Sequence, residues 1–109
     1  MRFYPLARLI DLRDDYTRHI KIDSLELLLL QRDGERYLIE ARCPHRDHPL
    51  DAATISDGII QCALHQYQFA IGDGRLLHAT EEPCRGLRTF ELVYEGNEVG
   101  VMLSDGSGN

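Results

Sequence analysis

No stretch of this chain is apolar for long enough to cross a bilayer. Its greasiest run is Leu27–Leu30, far short of the roughly 20 residues that a spanning helix needs. The opening residues, Met1-Arg2-Phe3-Tyr4-Pro5, lack the apolar stretch and small-residue cleavage site of a secretory leader. The chain is therefore expected to stay in the cytoplasm, away from membranes. Basic residues are scarce too: twelve Lys and Arg face eighteen Asp and Glu, for a net charge of −6. A nucleic-acid partner would want a basic stripe, so none is expected. The acidity suits a partner with a basic docking face, and it serves solubility in any case. Cysteines number only three, an odd count that makes a disulfide framework unexpected in a reducing compartment. Finally, there is no Ser-His-Asp order, phosphate loop or Gly-x-Gly-x-x-Gly, and so no sign of hydrolase, kinase or nucleotide-binding chemistry.

What is present punctuates like a small all-β domain. The 109 residues have room for one core. A single domain is expected over residues 1–103, with a flexible Gly- and Ser-rich tail at 104–109. Short apolar runs alternate with turn signals. Strands are predicted at Tyr4–Ile10, Arg18–Ile22, Leu25–Gln31, Arg36–Ala41, Ile59–Cys62, Gln66–Ile71, Arg75–His78, Thr89–Tyr94 and Glu98–Leu103. Pro5 in the first of these suits an edge strand. Asp33-Gly34, Gly72-Asp73-Gly74 and Glu95-Gly96-Asn97 read as hairpin turns, and Asp57-Gly58 opens the strand Ile59–Cys62. One helical turn is expected within Asp11–Tyr16. The fold class is all-β, built from stacked antiparallel hairpins.

The chemistry sits between positions 43 and 65. The chain reads Cys43-Pro44-His45, then Cys62-Ala63-Leu64-His65. Each Cys-His pair falls in a turn region after a predicted strand. Two such loops facing each other present two thiols and two imidazoles to one site. That donor set suits zinc or an iron–sulfur cluster. A mononuclear zinc finger usually pairs its ligands by type, Cys with Cys and His with His. Here each loop carries one of each, which fits a binuclear centre where two Cys hold one iron and two His the other. A zinc-stapled β module that binds a protein partner remains the alternative.

Cys-x-His followed by Cys-x-x-His resembles the Rieske [2Fe-2S] signature. The likeness continues in Leu50, in Phe69, and in Gly72 and Gly74. It extends to Glu82-Pro83-Cys84, which is similar to the proline-containing third loop that leans over the cluster. In length and pattern the chain resembles the soluble Rieske-type ferredoxins of bacterial ring-hydroxylating dioxygenase systems. The resemblance implies one Rieske-type [2Fe-2S] cluster, held by Cys43, His45, Cys62 and His65. It implies a non-enzymatic electron carrier, taking electrons from an NAD(P)H-dependent flavin reductase and handing them to a terminal oxygenase that acts on aromatic rings. A small Rieske-like subunit of a nitrite reductase is a further reading, which retention of all four ligands disfavours.

The departures from the family pattern are informative. Asp47-His48 stands where many members have Gly, and His48 reads as a rim residue. Gln66 replaces a common Gly. Position 64 is Leu and no Cys ends the first loop, so the inter-loop disulfide of respiratory Rieske proteins is impossible. Tyr67 stands where that high-potential class has a sulfide-bonding Ser, which implies a low potential. Arg46, Asp47, Gln66 and Pro83 are expected to rim the cluster. Cys84 is expected to pack beneath the third loop, Tyr67 and Phe69 to be core, and His19 and His78 to be half-exposed packing residues on strands.

Overall fold

The computed structural model describes residues 2–44, 49–63 and 66–103. The expected tail at 104–109 lies outside them, as do Arg46, Asp47, His48 and Leu64. The described residues form eleven strands in three antiparallel sheets. The first sheet has the order β1-β11-β10, from Arg2–Arg8, Glu98–Leu103 and Val93–Glu95. The second has the order β2-β3-β4-β9, from Thr17–Ile22, Leu25–Arg32, Glu35–Glu40 and Thr89–Phe90. The third runs β5-β6-β7-β8, from Thr54–Ser56, Ile59–Gln61, Gln68–Ala70 and Leu76–His78.

The second sheet is the middle layer. Along a strand, successive side chains point to opposite faces. In β3, Leu27 and Leu29 join Leu6, Leu38, Val99 and Val101 in one core. Leu28 and Leu30 join Ile39, Ile60, Tyr67, Phe69 and Ile71 in the other. A strand covered on both faces reads as a continuous apolar run rather than an alternation, and this is the origin of the leucine run. Each fully buried side chain of this size is worth about 1.5–3 kcal/mol.

Local turn chemistry accounts for the hairpins. Asp33-Gly34 joins β3 to β4 and Asp57-Gly58 joins β5 to β6, with positive φ at all four residues. That backbone matches the right-handed twist of a two-residue hairpin. Asp57-Gly58 is thus a hairpin turn whose first strand, β5, was not foreseen. Pro5 does lie on an edge strand, and the β1–β11 register shifts between Pro5 and Ala7.

Two further expectations are corrected. The helical turn lies at Leu9–Asp11, a single 3-10 turn, and not across Asp11–Tyr16. The segment Thr89–Tyr94 is not one strand. Residues 89–90 pair with β4, and 93–95 pair with β11 in another sheet. The chain crosses between layers at Glu91-Leu92, with Leu92 packed into the first core.

Near the end of β3, Gln31 is almost wholly buried. It donates to Asp14 at 2.9 Å and accepts from Arg36 Nε at 3.0 Å. Both ends of its amide are thereby satisfied, as burial of a polar group requires.

Candidate metal centre

Two loops start from the second core. The first follows β4. Ala41 donates its amide to Glu26 O at 3.0 Å, and Leu50 donates to Ala41 O at 2.8 Å. An antiparallel bridge between Arg42 and Pro49 closes the base. The second loop joins β6 to β7 and is closed by Cys62 N donating to Tyr67 O at 2.8 Å. In sequence, each closed loop contains one Cys-His pair.

Cys43 and Cys62 are 1% and 0% exposed and belong to one hydrophobic cluster with Tyr67, Phe69 and Leu50. Neither is in a disulfide. A thiolate in so apolar a place calls for a counter-charge, which a bound metal supplies. The two thiols therefore fit a thiolate-ligated metal group. His45 and His65 lie outside the described residues.

The third loop, residues 79–88, is fastened over the same core from three sides. The Tyr67 hydroxyl donates to the Glu82 carbonyl. Leu87 N donates to Gly74 O at 2.7 Å. Glu40, whose side chain is 13% exposed, accepts two hydrogen bonds from the Arg85 guanidinium at 2.7 and 2.8 Å, and a third from Arg88 N at 2.7 Å. Charge-assisted, two-pronged bonds of this kind are the strong ones. Cys84 packs half-buried against the core that holds Cys43 and Cys62. Burial pushes its thiol up, Arg85 opposes this and Glu40 adds to it.

The expected core roles of Tyr67 and Phe69 hold, since both are fully buried. Gln66 and Pro83 are exposed at the loops, and His78 is exposed on β8. Gln66 carries φ +59°, a conformation that favours Gly. Sequence reasoning missed the pairs Glu40–Arg85 and His19–Asp51, which are distant in the chain, and His19–Glu26, which meets only across the β2–β3 pairing.

A family model described as the Rieske [2Fe-2S] domain matches residues 2–91. The chain belongs to the Rieske [2Fe-2S] family. Its cofactor is accordingly one Rieske-type [2Fe-2S] cluster. Among similar proteins is the ferredoxin component of biphenyl 2,3-dioxygenase from Rhodococcus jostii (strain RHA1), 32% identical over 81 residues, 73% of each chain. Another is the ferredoxin component of the naphthalene 1,2-dioxygenase system of Pseudomonas aeruginosa, 32% identical over 90 residues, 78% of this chain and 80% of the relative. Among solved structures, the ferredoxin of carbazole 1,9a-dioxygenase from Nocardioides aromaticivorans IC177 shares the Rieske fold. Its TM-score is 0.77 at 24% identity, covering 93% of this chain and 97% of that one. No helix among the described residues is long and apolar enough to cross a membrane.

Proposed function

We propose that this Rieske protein is a one-electron carrier that takes electrons from an NAD(P)H-dependent flavin reductase and delivers them to a terminal oxygenase of the aromatic-ring dioxygenase type. In this reading it works in the cytoplasm as a single domain over residues 1–103. Cys43 and Cys62 would hold one iron of the cluster, and His45 and His65 would hold the other. When bound, a [2Fe-2S] cluster supplies a one-electron couple.

The chain's own residues do the rest. The two cysteines act as deprotonated donors in a dry pocket, walled by Tyr67, Phe69 and Leu50. The third loop, held by Glu40 and Tyr67, keeps solvent off that pocket. The net charge of −6 steers a basic partner surface, an attraction that salt screens.

The observation that carries the reading is the pair of buried thiols gathered in one core by two closed loops, each with a histidine close behind in sequence. Purification without air, followed by visible spectroscopy and iron and sulfide analysis, tests it. Two irons and two labile sulfides per chain are expected. A colourless protein with stoichiometric zinc would instead support the interaction module. Replacing Cys43, His45, Cys62 or His65 by Ala should remove the cluster, while Cys84→Ser should leave its spectrum intact.

A further inference from the structure

His19, on β2, has both ring nitrogens engaged. Nδ1 lies 3.0 and 3.2 Å from the two carboxylate oxygens of Asp51, and Nε2 lies 3.0 Å from Oε1 of Glu26. Carboxylates only accept, so with a proton on each nitrogen the ring donates to both. Asp51 sits in the 3-10 turn Leu50–Ala52, just beyond the first metal-centre loop. The same Glu26 oxygen lies 3.5 Å from Nη2 of Arg42, the residue before Cys43.

The side chains therefore repeat what the backbone does. Arg42 enters the loop and Asp51 follows it. Both are tied to Glu26, one directly and one through the His19 ring. The ring and the Arg42 guanidinium thus share the Glu26 carboxylate, and the ring alone reaches Asp51 among these groups. Removing the ring leaves Asp51 without that donor and Glu26 with Arg42 alone among these groups. A single exposed ion pair would be worth little. Here the ring joins three elements that flank one loop, so its loss removes one tie from the loop's far end and leaves the backbone ties of Leu50 and Pro49 in place.

We propose that His19 is a positioning residue for the cluster. Through Asp51 and Glu26 it fixes both ends of the loop carrying Cys43 and His45, and so sets the geometry of those donors from a distance. The inference rests on the ligand reading above. Partners outside the ligand shell commonly orient ligands and tune a metal. Here the orienting contact reaches the ligands through the loop ends, and not through a ligand's own ring.

The test uses the cluster-loaded protein and compares wild type with His19→Ala, His19→Arg and, as a control, Arg75→Ala at the separate exposed pair Arg75–Asp73. Three quantities are read: iron release to a chelator, the electron paramagnetic resonance spectrum of the reduced protein, and amide exchange at Leu50. His19→Ala is expected to speed iron release and Leu50 exchange by up to about fivefold, the scale of losing exposed ionic contacts. It should also shift or broaden the resonance. His19→Arg, which keeps donors for both carboxylates, should restore all three, and the control should change none. If His19→Ala does not fold, Asp51→Asn carries the same expectations at a smaller factor. A His19→Ala protein with unchanged spectrum and release rate would overturn the proposal, even if it melts at a lower temperature. A wild-type protein without a Rieske signal would strike the ligand reading instead, and Leu50 exchange would still decide whether His19 holds the loop.

Discussion

Adding one methyl group at Gly74 should cost far more than adding it at Gly58. Both glycines have nearly the same backbone, φ +79° and +76°. At Gly58 a Cβ would meet nothing within 4 Å. The Gly58→Ala change therefore isolates the conformational penalty. That is about 1–2 kcal/mol for a left-handed non-glycine residue, reduced by about 0.4–1 kcal/mol through the stiffer unfolded chain.

At Gly74 the Cβ would lie 1.8 Å from Leu87 O and 2.8 Å from Leu87 C. Carbon and oxygen do not approach closer than roughly 3.3 Å, so the third loop must retreat. The retreat breaks the 2.7 Å bond from Leu87 N to Gly74 O, worth about 1 kcal/mol net. It also lifts the buried Leu87 from the core, at about 1–2 kcal/mol for partial exposure. The total for Gly74→Ala is about 3–4 kcal/mol by these terms. At about 4 °C per kcal/mol for a domain of this size, Gly74→Ala should melt roughly 12–16 °C below wild type and Gly58→Ala only about 4 °C below. Thermal unfolding by circular dichroism, under argon and at one scan rate, measures both. Equal melting temperatures for the two variants would refute the claim that Gly74 seats the third loop.

Gln66→Gly relieves the left-handed backbone of the second metal-centre loop and should raise stability by about 0.5–1 kcal/mol, read from the denaturation midpoint. Cys84 should be alkylated by iodoacetamide more slowly at pH 8 than an exposed thiol, with its rate climbing only above the usual thiol range, because burial, opposed by Arg85 and aided by Glu40, pushes the thiol up. Mass spectrometry against pH gives the profile, and a rate equal to that of free glutathione would contradict it. The Gln31 amide and the Gly34 N–H hold the Asp14 carboxyl below its usual value. Its folded value being the lower one, its contribution is full above the ordinary carboxylate range and is lost as pH falls through the folded value. Asp14→Asn should thus destabilise at pH 7, with the gap to wild type closing in acid, as urea titrations at several pH values would show. Tyr67 stands where the high-potential class has a sulfide-bonding Ser, and its hydroxyl donates to the Glu82 carbonyl. The midpoint potential should therefore lie near the low end of the Rieske range, about −150 mV, and protein-film voltammetry giving a value above about +100 mV would contradict this.

Much of the architecture was legible because its causes are local. Asp33-Gly34 fixes a turn through the backbone of those two residues alone, and the Cys-His spacings place the thiols in two loops whatever the rest of the fold does. What was missed depends on distance or brevity. β5 has three residues, too few for a period to register. Thr89–Tyr94 alternates acceptably along its length, and no side-chain pattern announces that its two ends pair in different sheets. His19 and Asp51 are 32 positions apart, and Glu40 and Arg85 are 45 apart. No window of sequence contains either pair. The three-sided fastening of the third loop likewise emerges only after the sheets are in place.

The leucine run of β3 behaves as a party wall. Leu28 and Leu29 are chain neighbours, yet they look into different rooms: one shared with Cys43 and Cys62, the other with the strands that close the opposite side. A defect at either position is felt first by its own room, although both defects lie on one strand. Loss of a metal group held by Cys43 and Cys62 would be felt first in the room that contains them. Leu29, Leu38, Val99 and Val101 can keep the far side furnished, so the empty protein has a scaffold onto which the metal-holding loops can be rebuilt.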